Sequence, residues 1–124
     1  MATRIDELSI AIQAQLSQYS FEVAQELKEE VKEVAKQCVK EIKANAPVDS
    51  GDYKKGWRAK VTFESGSDIR IKVYNTKKPQ LTHILEFGYA KVNGGRVEGK
   101  SHIYPAEQAA AKALERKAKV MVKR

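Results

Sequence analysis

Two histidines, His83 and His102, are the only side chains here that titrate near neutrality without help from their surroundings. Glu86 lies three residues after His83, so the two share one side of a helical turn; with His102 they could hold zinc for a hydrolytic reaction. The spacing argues against that. Histidines nineteen residues apart, with no His-Glu-x-x-His helix and no evident fourth ligand, fit no established metal pattern. Cys38 is the single cysteine, set at core spacing on a helical run and without a Cys-x-x-Cys partner, so it reads as a small buried apolar side chain. Asp49 and Asp52 could pair as acid and base, but they sit in a turn, where capping accounts for them. Gly94, Gly95 and Gly99 lack the spacing of a phosphate-cradling loop, and no Gly-x-Ser-x-Gly elbow occurs. The expectation is a chain that is not an enzyme and needs no cofactor and no metal. A metal-dependent hydrolase is the least favoured alternative.

Charge points toward a second alternative. The net charge is +7, and the excess of cations lies between Lys54 and Lys78 and again from Lys112 to Arg124. The first forty-five residues instead interleave lysine with glutamate, as in Lys28-Glu29-Glu30, which reads as a solvated helix face. A small basic nucleic-acid-binding module built on the Lys54–Lys78 hairpin is therefore conceivable. No aromatic residues alternate with the basic clusters in a stacking pattern, however, so DNA contact is expected to be weak and non-specific at most. No apolar stretch approaches the roughly 20 residues of a membrane span, and the N-terminus lacks a signal-peptide pattern. The chain is expected to stay where it is made and to avoid membranes.

The elements that must position these residues follow from periodicity. From Ile5 to Ile42 apolar residues recur eleven times over 37 residues, a helical period. One helix from Thr3 to Asn45 would run about 64 Å, against a radius of gyration of about 14 Å for a domain this size. A break is expected near Ser17–Ser20, leaving residues 1–19 as a short amphipathic helical segment that reaches a neighbouring subunit. On that reading, removing residues 2–16 leaves a folded domain that assembles poorly. Pro47 ends the long helix, since a proline disfavours helical geometry in the residue before it. Trp57, Ala59, Val61 and Phe63, then Ile69, Ile71 and Val73, alternate with polar residues across Ser65-Gly66-Ser67-Asp68, predicting an antiparallel hairpin with one dry face. Residues 81–88 read as a helical turn leading into a loop or short strand, and Asn93-Gly94-Gly95 as a tight turn. A C-terminal helix begins at Pro105, which suits the first helical position. The class is α+β: a long N-terminal helix, a hairpin extended to a small sheet, and a C-terminal helix, all in one domain over 1–124.

The loop segments carry a resemblance. Ala46-Pro47-Val48-Asp49-Ser50-Gly51, Leu81-Thr82-His83-Ile84-Leu85-Glu86-Phe87-Gly88, Gly94-Gly95-Arg96-Val97 and His102-Ile103-Tyr104-Pro105-Ala106-Glu107 occur in that order. Together they resemble the gene-product-ten-like family of minor structural proteins of tailed siphophages and prophages, over about residues 5 to 120. Ser50 stands where threonine is common, a change that keeps the hydroxyl. The resemblance implies a head–tail joining, neck or tail-completion role without catalysis. It also implies a homo-oligomeric ring, typically sixfold, contacting other phage neck and tail proteins. Such a chain would reside in the host cytoplasm before assembly and in the virion afterwards.

Within that frame two sets of residues are singled out. Ile5, Leu8, Ile12 and Leu16 form an apolar stripe, and His83, Glu86, Phe87 and Arg96 occupy a loop of mixed polar and aromatic character; both sets are expected to make interface contacts. Pro47, Asp49, Ser50, Gly51, Gly88, Gly94 and Gly95 are expected to shape turns, with Gly51 and Gly88 supplying backbone angles that other residues avoid.

Overall fold

The computed structural model describes residues 8–47 and 51–122. Ile5, Asp49 and Ser50 lie outside the described residues. In chain order the elements are β1 (Ile10–Gln15), α1 (Phe21–Asn45), α2 (Gly51–Lys55), β2 (Trp57–Glu64), β3 (Asp68–Asn75), α3 (Thr82–Phe87), β4 (Gly88–Ala90), β5 (Arg96–Glu98) and α4 (Tyr104–Val122). The class is α+β, as expected. No helix among the described residues is long and apolar enough to cross a membrane.

The largest correction is at the N-terminus. The segment expected as an amphipathic helix is instead β1, antiparallel to β3, with Ile10 opposite Val73, Ile12 opposite Ile71 and Ala14 opposite Ile69. The apolar spacing through Leu8, Ile12 and Leu16 suits a helix, but Ile10, Ile12 and Ala14 also alternate with period two. Two β-branched isoleucines and an open edge on β3 favour the strand, and pairing settles an ambiguity that local propensity leaves open. Ile10, Ile12 and Leu16 are buried in the chain's own core. Leu8 is half-buried against that core, and its N–H donates to Thr82 Oγ1 at 2.7 Å. Leu8, Ile12 and Leu16 of the stripe are therefore not a free surface.

The expected break near Ser17–Ser20 is present, but it separates a strand from a helix. Ser20 is the N-cap of α1, its hydroxyl accepting from the Val23 N–H at 3.3 Å. At 25 residues α1 spans about 37 Å. It ends at Asn45, and Ala46, immediately before Pro47, is extended. Its buried face includes Val31, Val34, Cys38 and Ile42, which meet Ile69, Ile71 and Val73 of the sheet and Ala106 and Ala110 of α4 in one cluster. Lys28, expected on a wet face, is buried; its ammonium donates to the Ser65 carbonyl in the β2–β3 turn and lies 3.7 Å from Glu64.

The sheet order is β1-β3-β2, all antiparallel. The expected dry face of β2 holds only at Trp57. A bulge between Val61 and Phe63 shifts the register, so that Phe63 faces Arg70 and Glu64 faces Ile69. Phe63 therefore moves to the solvent face, while Glu64 turns inward to Lys28 and Lys32. Ala59 and Val61 open into a groove of about 490 Å3 alongside α1.

Candidate docking surface and the clamp beneath it

The loop expected to carry contacts becomes α3 followed by the β4–β5 hairpin, in which Gly88 pairs with Glu98, Tyr89 with Val97 and Ala90 with Arg96. Gly88 has φ +81°, and a Cβ there would run into the Val97 carbonyl, so two independent constraints require glycine. Gly99 faces the same close approach from the other strand, since a Cβ would meet the Gly88 amide nitrogen. Gly94 and Gly95 have φ +89° and +84° and close the hairpin tip, where the Lys91 N–H donates to the Gly95 carbonyl at 3.1 Å. Gly51 differs from expectation. It is not in the positive-φ region and simply opens α2.

The hairpin presents apolar and aromatic side chains outward. Phe87 is 52% exposed, Tyr89 47%, and Val92 at the tip is fully exposed. The His83 ring packs against Phe87 with centroids 5.0 Å apart, and the Arg96 guanidinium donates to the Phe87 carbonyl. Three of the four expected contact residues of this loop, His83, Phe87 and Arg96, thus come together.

Glu86 does not join them. It is 5% exposed and turned inward, which corrects its assignment to the contact surface. Its carboxylate accepts from the N–H groups of His102 (2.8 Å), Ile103 (2.8 Å) and Tyr104 (3.0 Å), and from the Ser101 hydroxyl (2.9 Å). These donors are Tyr104, the first residue of α4, and the three residues that lead into it. The opening amides of a helix lack partners within it, so Glu86 caps the start of α4 from a distant element. Burial alone would push the carboxyl's pKa up, but the backbone donors of His102, Tyr104 and Ile103 and the Ser101 hydroxyl outweigh it. The group is held below its ordinary value.

His102 sits beside this carboxylate, with Nδ1 3.1 Å from Glu86 Oε1 and 2.7 Å from the Lys100 carbonyl. Its Nε2 is 2.6 Å from the Tyr53 hydroxyl. With Nδ1–H donating to Lys100, Nε2 accepts the phenolic proton. Burial raises the Tyr53 pKa, which keeps the phenol a donor. Trp57 closes the group edge-on, 6.0 Å from Tyr53 and 6.4 Å from His102. Carboxylate, imidazole and phenol in a row look like a proton relay, yet His102 and Tyr53 are both buried. The relay geometry holds α2, α3 and α4 together.

The proposed zinc ligands part company here, since Glu86 and His102 turn to each other and His83 to Phe87. Among the described residues, no group of three or more His, Cys, Asp or Glu side chains is placed to hold a metal ion. Cys38 is 2% exposed, and burial, helped by Glu41 and Glu107, pushes its thiol up to about 12. Sequence reasoning missed Tyr53, Gly99, Ser101 and Asn75. Asn75, buried at the end of β3, donates to the Tyr53 carbonyl at 2.7 Å and accepts from the Lys77 and Lys78 amides. The one available signal was Ser101-His102 just ahead of Tyr104-Pro105, where helix-capping residues gather.

Comparison with known proteins gives no matching curated protein and no matching solved structure. One family model matches residues 10–88, from the first residue of β1 to Gly88 at the foot of the β4–β5 hairpin. Its description is bacteriophage HK97 gp10, a tail component, which points to a structural role in the virion. The chain belongs to the HK97 gp10-like family of bacteriophage tail components.

Proposed function

We infer that this tail component is a joining protein at the head–tail junction, acting as a ring of identical subunits that docks through the α3 and β4–β5 face. The observation that carries the reading is the contrast between the two sides of that segment. Beneath, Glu86 is fixed by four hydrogen bonds to the start of α4. Above, Phe87 and Tyr89 are about half exposed and Val92 fully so. A rigid base under exposed aromatic residues is how an interface anchor is built, because little conformational freedom remains to be lost on docking. Arg96 and His83 at the margin supply the polar rim. In such a ring the sheet of one subunit would lie beside the next, and neck and tail proteins would take the hairpin face.

Particles settle the matter. A phage lacking this chain should accumulate DNA-filled heads and separate tails, and the purified protein should show a mass several times that of the monomer, alone or with its partner. Intact infectious particles without the chain, or heads that never package DNA, would overturn the reading.

A further inference from the structure

Between Lys54 and Lys78 stand eight lysines and arginines against two acids, so this stretch holds +6 of the chain's +7. The fold sorts these charges by face. Ile69, Ile71 and Val73 of β3 point into the core, so Arg70 and Lys72 between them point to solvent. The register places Arg58 opposite Tyr74, and Lys60 opposite Lys72, on that same outer face. Glu64 is withdrawn to the inner face by the bulge and held by Lys28 and Lys32. Asp68 remains at the far end, opposite Gln15 of β1. Two rings lie within the patch. The Tyr74 centroid is 5.3 Å from the Lys60 ammonium and 5.5 Å from that of Lys72, and Arg70 is 5.5 Å from the Phe63 centroid.

Like charges directly opposed across a ladder weaken it, so sheet stability alone does not call for Lys60 facing Lys72. A polyanion bound there would relieve the repulsion. We propose that the outer face of the β1-β3-β2 sheet binds the phosphate backbone of duplex DNA, without sequence preference, through Arg58, Lys60, Arg70 and Lys72. Cations neutralise phosphates and release condensed counterions, and the rings beneath them hold the side chains extended for that contact. An acidic protein is the competing partner class. Protein interfaces are depleted of charge at their centre and carry it at the rim, whereas here the cations occupy the middle of the sheet. The proposal stands on charge and geometry and does not depend on the head–tail reading.

The test is fluorescence anisotropy of a short labelled duplex with the full chain, repeated across salt concentrations. Four phosphate contacts predict that log affinity falls with log salt at a slope of about −3 to −4. Lys60→Ala combined with Lys72→Ala should bring that slope closer to zero by about two, and Arg70→Gln alone by about one. Lys112→Ala with Arg116→Ala on α4 removes the same net charge from exposed positions and should leave the slope unchanged. Equal effects from the α4 pair would overturn the proposal, as would no binding at low salt. Polyglutamate binding as tightly as DNA would assign the face to an acidic protein and overturn it too. None of these results bears on particle joining, which is read separately.

Discussion

Glu86 Oε1 and His102 Nδ1 lie 3.1 Å apart, but the same oxygen also accepts from the His102 and Ile103 amides at 2.8 Å. The imidazole hydrogen has the Lys100 carbonyl within 2.7 Å, so the contact does not depend on a charged histidine. The carboxylate chiefly serves the opening turn of α4 and thereby fixes where that helix begins relative to α3.

That arrangement makes Glu86→Gln a stability variant. It removes the charge and replaces one acceptor oxygen with a donor that faces other donors. Hydrogen bonds to charged groups contribute about 1.5–3 kcal/mol each, so a loss of about 2–4 kcal/mol is expected. Denaturant unfolding followed by circular dichroism measures it; a change under 0.5 kcal/mol would contradict the clamp. Glu86→Lys, which would test an exposed contact, should instead fail to fold.

The same group sets an acid limit. Its folded pKa lies below the unfolded value, so the unfolded chain binds more protons and stability rises with pH through that window. The contribution is complete above the ordinary carboxylate range and is lost as pH falls through the folded value. Thermal midpoints taken downward from neutral pH should drop in the wild type and drop less in Glu86→Gln. Parallel profiles for the two would show that another group governs acid sensitivity.

Removal of residues 2–16 should unfold the chain. The strand within that segment places Ile10 and Ile12 in the core and pairs along β3. Even the single change Ile12→Ala should cost about 2–5 kcal/mol, the range for a large-to-small substitution in a core. A cooperative, stable truncated protein would mean that β1 is dispensable, the outcome expected from the helical spacing alone.

That contrast marks where the sequence was legible. The boundaries of α1, the β2–β3 hairpin and α4 follow from Ser20, Pro47, the Ser65–Asp68 turn and Pro105, because each is set by local chemistry. The strand at Ile10 was not legible, since its spacing suits a helix as well, and only the open edge of β3 decides between them. The inward turn of Glu86 was hidden for the same reason. Its partners are fifteen to eighteen residues away, and nothing in Leu85-Glu86-Phe87 says which of two neighbouring side chains faces out. The basic character of the Lys54–Lys78 hairpin was legible, but its rings were not. The bulge sets Phe63 against Arg70 across the strands, and Tyr74 meets Lys60 across the sheet as well as Lys72 along its own strand.

Cys38 should resist thiol reagents. With the thiol buried and its pKa near 12, almost no thiolate exists at neutral pH and no reagent reaches it. Labelling should be slow in native buffer and complete within minutes in denaturant. Rapid native labelling would mean that α1 and α4 separate readily.

The hairpin separates folding from docking, and two substitutions should show it. Gly88→Ala places a methyl against the Val97 carbonyl at a φ of +81°, so the hairpin cannot close as it stands. With ψ at −176° this is a backbone region essentially reserved for glycine, so strain of about 1–3 kcal/mol adds to that clash, and thermal stability should fall measurably. Val92→Asp is the opposite case. Its side chain is fully exposed at the tip, so stability should change by less than about 0.5 kcal/mol. If Phe87, Tyr89 and Val92 form the anchor, placing a charge in the apolar contact should still block docking by several kcal/mol. The expected result is a Val92→Asp protein with wild-type melting that yields unjoined heads and tails by electron microscopy. Normal particles from Val92→Asp, together with normal particles from Tyr89→Ala, would remove this face from the joining surface.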